Sequence, residues 1–163
     1  MTTYSDETGS VWSVTEHPSG VQSRVLVEPS QEYLDKQEAL EEQRQAEARQ
    51  RAILALPDRI AELRWQHETS GTTFNGIPLA TDRESRAMMD GALMMLTNGP
   101  PNRTVRWKGK DRTFFEVDRD SLQAINEAVW EHVEACFDRE RELLEAIEDA
   151  EDPLSVDIEA GWP

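Results

Sequence analysis

A chain of 163 residues carrying 33 Asp and Glu against 17 Lys and Arg has a formal net charge of −16, which repels phosphate backbones and excludes nucleic acid as a counterion-release partner. A single cysteine, Cys136, excludes an internal disulfide and a cysteine-based zinc cluster. No run approaches the ~18 apolar residues of a membrane span, so no membrane partner is expected.

The polar, acidic residues 1–10 do not read as a signal peptide, which places the chain in a reducing cytosol. They are expected to be loose. Residues 11–28 then read as a hairpin: Trp12 and Val14 alternate with polar residues, Val25 and Val27 are β-prone, and His17-Pro-Ser-Gly20 supplies a turn. Two strands are marginal alone, so this hairpin needs a packing partner. Ser30 is a plausible N-cap for a helix from Gln31 to Arg51, rich in Glu, Gln, Ala and Arg. Its apolar stripe is thin: Tyr33, Leu40 and Leu54 follow a seven-residue spacing that Glu47 interrupts. Such a helix either bridges folded parts or pairs with copies of itself, giving a homo-oligomer.

Pro57 suits the first turn of a second helix, with Ile60, Leu63 and His67 at helical spacing. Asn75-Gly76 is the preferred pair of a type I′ turn between two short strands, and Pro78 confines the second of these to an edge. Thr81-x-x-Glu84 matches a capping box. The helix it opens is expected to bury Met88, Ala92, Met95 and Leu96 and to stop at Asn98-Gly-Pro-Pro101. A second hairpin follows over residues 105–117, turning at Lys108-Gly-Lys-Asp111. Asp118 or Asp120 caps a long helix with Leu122, Ile125, Val129, Val133, Cys136, Leu143 and Ile147 on one face and Trp130, Phe137 and Leu144 on a second seam. Leu154, Val156 and Ile158 alternate in the tail, which is expected to run extended and finish at Trp162.

Little here invites chemistry. His132 and Cys136 sit four apart on a helix, a metal-ligand spacing, but two ligands do not close a site and Cys136 falls on the buried stripe. No phosphate loop, nucleophile elbow or two-histidine zinc helix is present. No catalytic, cofactor or metal residue is assigned, and the chain reads as a non-enzyme. The pairs Met88-Met89 and Met94-Met95 suit core filling or an adaptable binding surface. Arg103, Arg106, Lys108, Lys110 and Arg112 make a basic patch, set either to bind an acidic partner or to pair with the acidic end of the long helix.

The order Phe74-Asn-Gly76, Thr81-Asp-Arg-Glu-Ser85, Val105-Arg-Trp-Lys108, Phe115-Glu-Val-Asp118 and then Ile125, Ala128, Val129, His132, Val133, Cys136 and Phe137 at helical spacing resembles a domain of unknown function of tailed bacteriophages. That domain is found in tail proteins and tail-fibre assembly proteins. The resemblance covers about residues 58–150, and Gly161-Trp-Pro163 is similar to the endings of such proteins. It carries no catalytic motif. It implies a tail or tail-fibre-associated protein, acting as a minor virion subunit or as an assembly chaperone in the host cytoplasm.

The expected fold class is α+β and mainly helical: long helices with small β-hairpins, plus an N-terminal β-hairpin and an extended polar helix. Residues 1–56 form an arm, residues 57–150 a helix–hairpin–helix–hairpin–helix module and residues 151–163 an extended tail. A phage tail or tail-fibre protein is the expected partner. Trp12, Val14, Val25 and Val27 are candidates for strand addition to it, with Trp12 and Val14 equally able to pack on their own module, Tyr33 and Leu40 for helix pairing, and Trp162 for a contact of the tail. The acidity also allows another reading, an inhibitor that mimics DNA toward a host DNA-binding protein.

Overall fold

The structure, a computed structural model, describes residues 2–163. The fold is α+β, with four α-helices and small antiparallel sheets among the described residues. The chain forms two compact units, the first ending at Ala52 and the second spanning Ile53–Pro163.

In the first unit, β1 (Thr2–Ser5), β2 (Val11–Glu16) and β3 (Gln22–Glu28) form a meander in the order β1-β2-β3. The first ten residues are therefore not loose: Thr2 pairs with Val14 and Tyr4 with Trp12. The four residues of β1 are all exposed, so no buried face marks the strand in the sequence, and its order comes from backbone pairing with β2. A bulge at Val11/Trp12 sets Val11 opposite Glu28 and Trp12 opposite Leu26. The sheet runs into α1 (Gln31–Leu54), whose first turn is capped by Ser30, its Oγ accepting from the Tyr33 N–H at 3.2 Å. No residue of α1 is buried. Pairs one turn apart support it instead, including Lys36 with Glu32 at 2.7 Å and Gln43 with Glu47 at 2.8 Å.

The second unit contains α2 (Leu56–Thr69), a hairpin of β4 (Thr72–Phe74) and β5 (Ile77–Leu79), α3 (Arg83–Thr97), a hairpin of β6 (Val105–Lys108) and β7 (Phe114–Val117), and α4 (Arg119–Asp149). Asn75 and Gly76 both have positive φ, 49° and 79°, as the type I′ turn requires. Gly71 has φ +99°, and a Cβ there would lie 2.6 Å from the Leu79 carbonyl oxygen. Only glycine admits this approach of the end of α2 to β5.

Two expectations for α3 change by one position. The N-cap is Asp82, not Thr81: the Asp82 carboxylate accepts from the Ser85 N–H at 2.9 Å and the Ser85 hydroxyl at 2.7 Å. Its charge and two acceptors satisfy the first turn better than a hydroxyl. Thr81 is fully buried and closes the end of α2, donating to the Glu68 carbonyl and accepting from the Gly71 N–H at 3.0 Å. The buried face of α3 is Met89, Ala92, Leu93 and Leu96, whereas Met88 and Met95 point outward. Adjacent methionines leave the face undecided in sequence, and packing against the hairpins decides it.

At about 46 Å, α4 is long enough to serve two partners. Its first half joins Leu79, Met89, Leu96 and Val117 in a core through Leu122, Ile125 and Val129, with Phe74, Ile77, Val105, Trp107 and Phe115 around the rim. Its second half buries Val133, Cys136 and Leu143, as α2 buries Ile60 and Leu63. Each fully buried aliphatic side chain contributes roughly 1.5–3 kcal/mol. The tail does not run extended. A 3-10 turn at Pro153–Ser155 packs on α4, and Asp152 caps it by accepting from the Leu154 N–H at 3.0 Å.

Candidate partner-binding surfaces

The sheet of the first unit has two distinct faces. Tyr4, Trp12 and Leu26 line up across one of them, where the Trp12 ring meets Tyr33 edge-on at 5.9 Å. The indole N–H donates to Asp6 at 2.7 Å, and the same carboxylate accepts from the Thr8 hydroxyl at 2.7 Å. These donors hold the Asp6 carboxyl below its ordinary value, Thr8 more strongly than Trp12. Trp12 and Tyr33 are thus engaged within their own unit, and Val14 is half-buried. Val25 and Val27 stand 61% and 58% exposed on β3, with Val21 just before it. Among the described residues β3 pairs only with β2, so its outer edge keeps backbone groups that another strand can join. Leu40 is exposed on α1.

Trp162 is also engaged. Its ring stacks on His67 and its N–H donates to the Ile158 carbonyl at 2.9 Å. Arg139 donates to the Ala160 carbonyl at 2.9 Å, and Arg59 pairs with Glu159 at 2.9 Å. Two bonds, from Arg59 of α2 and Arg139 of α4, and the stack on His67 therefore fasten the tail.

A groove of about 1060 Å³ lies where α2, α3 and α4 meet. Glu68, only 6% exposed, sits behind it and pairs with Arg64 and with Arg86, the latter at 2.6 Å. Arg64 also approaches Glu140 at 3.1 Å. The guanidinium of Arg64 lies 4.5 Å from the centre of the Phe137 ring, and that of Arg86 lies 5.4 Å from Trp130. The expected Trp130–Phe137 seam is exposed and held by two arginines, with Trp65 beside it 54% exposed. Sequence reasoning missed Glu68 and its arginines; the spacing of Arg64 and Glu68 by four was the only signal.

The other singled-out groups resolve simply. His132 donates through Nε2 to the His67 carbonyl at 3.1 Å, and Cys136 Sγ lies 3.9 Å from the same nitrogen. Burial pushes the Cys136 thiol up to about 11, the Glu68 charge adding to it, which keeps the sulfur a thiol rather than a nucleophilic thiolate. No group of three or more metal-ligating side chains forms among the described residues, and no helix there is long and apolar enough to cross a membrane. Met88 and Met94 are 63% and 70% exposed. In the basic patch Lys110 donates to the Ser70 carbonyl and Lys108 lies over Phe114. None of the five cations forms an ion pair among the described residues, so pairing with the acidic end of α4 does not occur within the chain.

With the two hairpins and the α2–α4 packing in place, the fold defines a small α+β module. A family model described as a domain of unknown function (DUF4376) matches residues 45–160. The protein belongs to that family. No curated protein and no solved structure matches the chain.

Proposed function

We propose that the chain is a non-enzymatic bacteriophage tail protein associated with the tail fibre, serving as a minor virion subunit or as an assembly chaperone in the host cytoplasm. The order of motifs over residues 58–150 supports the phage reading, by resemblance. The observation that carries an interaction role is the open edge of β3 with its exposed Val25 and Val27. A tail or tail-fibre protein would join that edge as an added strand, with alternate side chains meeting the valines. Pairing of α1 with copies of itself belongs to the same reading.

Quantitative mass spectrometry of purified particles and of infected-cell lysate tests it. Copies in the particle at a multiple of the tail symmetry make a virion subunit. Abundance in lysate with absence from the particle, together with capture of a tail-fibre protein, makes a chaperone. Absence of both ends the proposal.

The net charge of −16 favours one other reading, a DNA mimic that inhibits a host DNA-binding protein. The five cations at residues 103–112, which form no ion pair among the described residues, weigh against it. Competition with duplex DNA for a captured host protein separates the two.

A further inference from the structure

The charge along α1 is divided. Residues 31–42 carry Glu32, Asp35, Glu38, Glu41 and Glu42 against the single Lys36, whereas residues 43–54 carry Arg44, Arg49 and Arg51 against the single Glu47. Both halves lie in one unbroken helix with no buried residue. Leu40 and Leu54 are 39% and 67% exposed on it. Ala39, Ala46 and Ile53 follow the same seven-residue step one position earlier than Leu40, Glu47 and Leu54, with Gln43 and Gln50 between the two rows. The helix thus has a narrow seam of alternating large and small residues, and a charge gradient along it.

We infer that α1 pairs with α1 of a second copy in antiparallel orientation, the acidic half of each lying along the basic half of the other. This rests on the proposed role of the arm in association. A parallel pair would set acidic half on acidic half, and like charges so juxtaposed are costly. An antiparallel pair centred on Gln43 sets Leu40 opposite Ala46 of the second copy. The large Leu40 then meets the small Ala46 on either side of Gln43, as a close helix contact allows. Gln43 meets its own equivalent, and Lys36 meets Gln50.

The full chain tests this by sedimentation velocity and by cysteine cross-linking under a mild oxidant; native Cys136 is buried and stays out of the reaction. A dimer is expected at tens of micromolar, weakening with added salt. Gln43→Cys should cross-link to itself. Lys36→Cys and Gln50→Cys should each fail to self-link, because like positions lie ~21 Å apart along the pair, and should cross-link when mixed. Leu40→Glu should give a monomer with the unfolding midpoint of the second unit unchanged. A monomeric wild-type chain, self-linking of Lys36→Cys, or a dimer indifferent to Leu40→Glu overturns the inference. Particle mass spectrometry reads the tail role independently, so a monomeric virion protein would sink the pairing alone.

Discussion

The indole of Trp162 lies flat on the imidazole of His67, with ring centroids 5.3 Å apart and planes 10° from parallel. The second-last residue of the chain thereby packs onto α2, nearly a hundred positions earlier. Trp162→Ala removes the stack and the indole bond to Ile158, and is expected to cost about 2 kcal/mol. A urea titration should show a lower midpoint with an unchanged slope. An unchanged midpoint would mean that the tail is not docked in solution.

Glu68 is the shared anion of Arg64 and Arg86. Glu68→Ala leaves the largely buried Arg86 without its carboxylate and Arg64 with Glu140 alone, and is expected to cost about 3 kcal/mol. Replacing all three residues by apolar ones of similar volume should restore stability to near the parent level. Equal losses in the single and triple variants would show that the ions are not coupled.

Cap assignment at α3 is open to direct measurement. Asp82→Ala should cost about 1 kcal/mol. Thr81→Val buries an unmet carbonyl and N–H at the α2 end and should cost about 1–3 kcal/mol. Glu84→Ala should fall below about 0.5 kcal/mol, because its side chain makes no capping contact among the described residues. A large Glu84 effect would reinstate the capping box.

Acid sensitivity of the first unit follows from Asp6. Its carboxyl is held below the ordinary range, first by the Thr8 hydroxyl and then by Trp12. The unfolded chain therefore takes up that proton at a higher pH than the folded one. The contribution is complete above about pH 4 and is lost as pH falls through the folded value. The Trp12 indole resonance should report this loss, and Asp6→Asn should remove its pH dependence. An Asn variant with the same acid transition would exclude Asp6 as its source.

Local chemistry made much of this fold legible. Asn75-Gly76 specifies its own turn, and the stripe from Leu122 to Leu143 specifies its own buried face, because in each case neighbouring residues decide the outcome. What escaped was decided at a distance. β1 has no apolar alternation and becomes a strand only by pairing with β2. Met88 and Met89 are chemically equivalent until the hairpins choose between them. Trp12 reads equally as a partner contact or as packing in its own module, and only its contacts with Asp6 and Tyr33 distinguish the two. Of the candidate contacts, Val25, Val27 and Leu40 remain exposed, while Trp12, Tyr33 and Trp162 are engaged within the chain.

Lys110 ties the basic hairpin to the end of α2. Its ammonium grips the Ser70 carbonyl and its N–H reaches the Pro78 carbonyl at 2.9 Å. Beside it, Gly71 and Thr81 clasp the end of α2 to the start of α3. The tip of the β6–β7 hairpin is thus a braced lever and not a loose flap. A pull on its arginines would travel through Lys110 into the α2–α3 joint, and the hairpin and the helices would yield together.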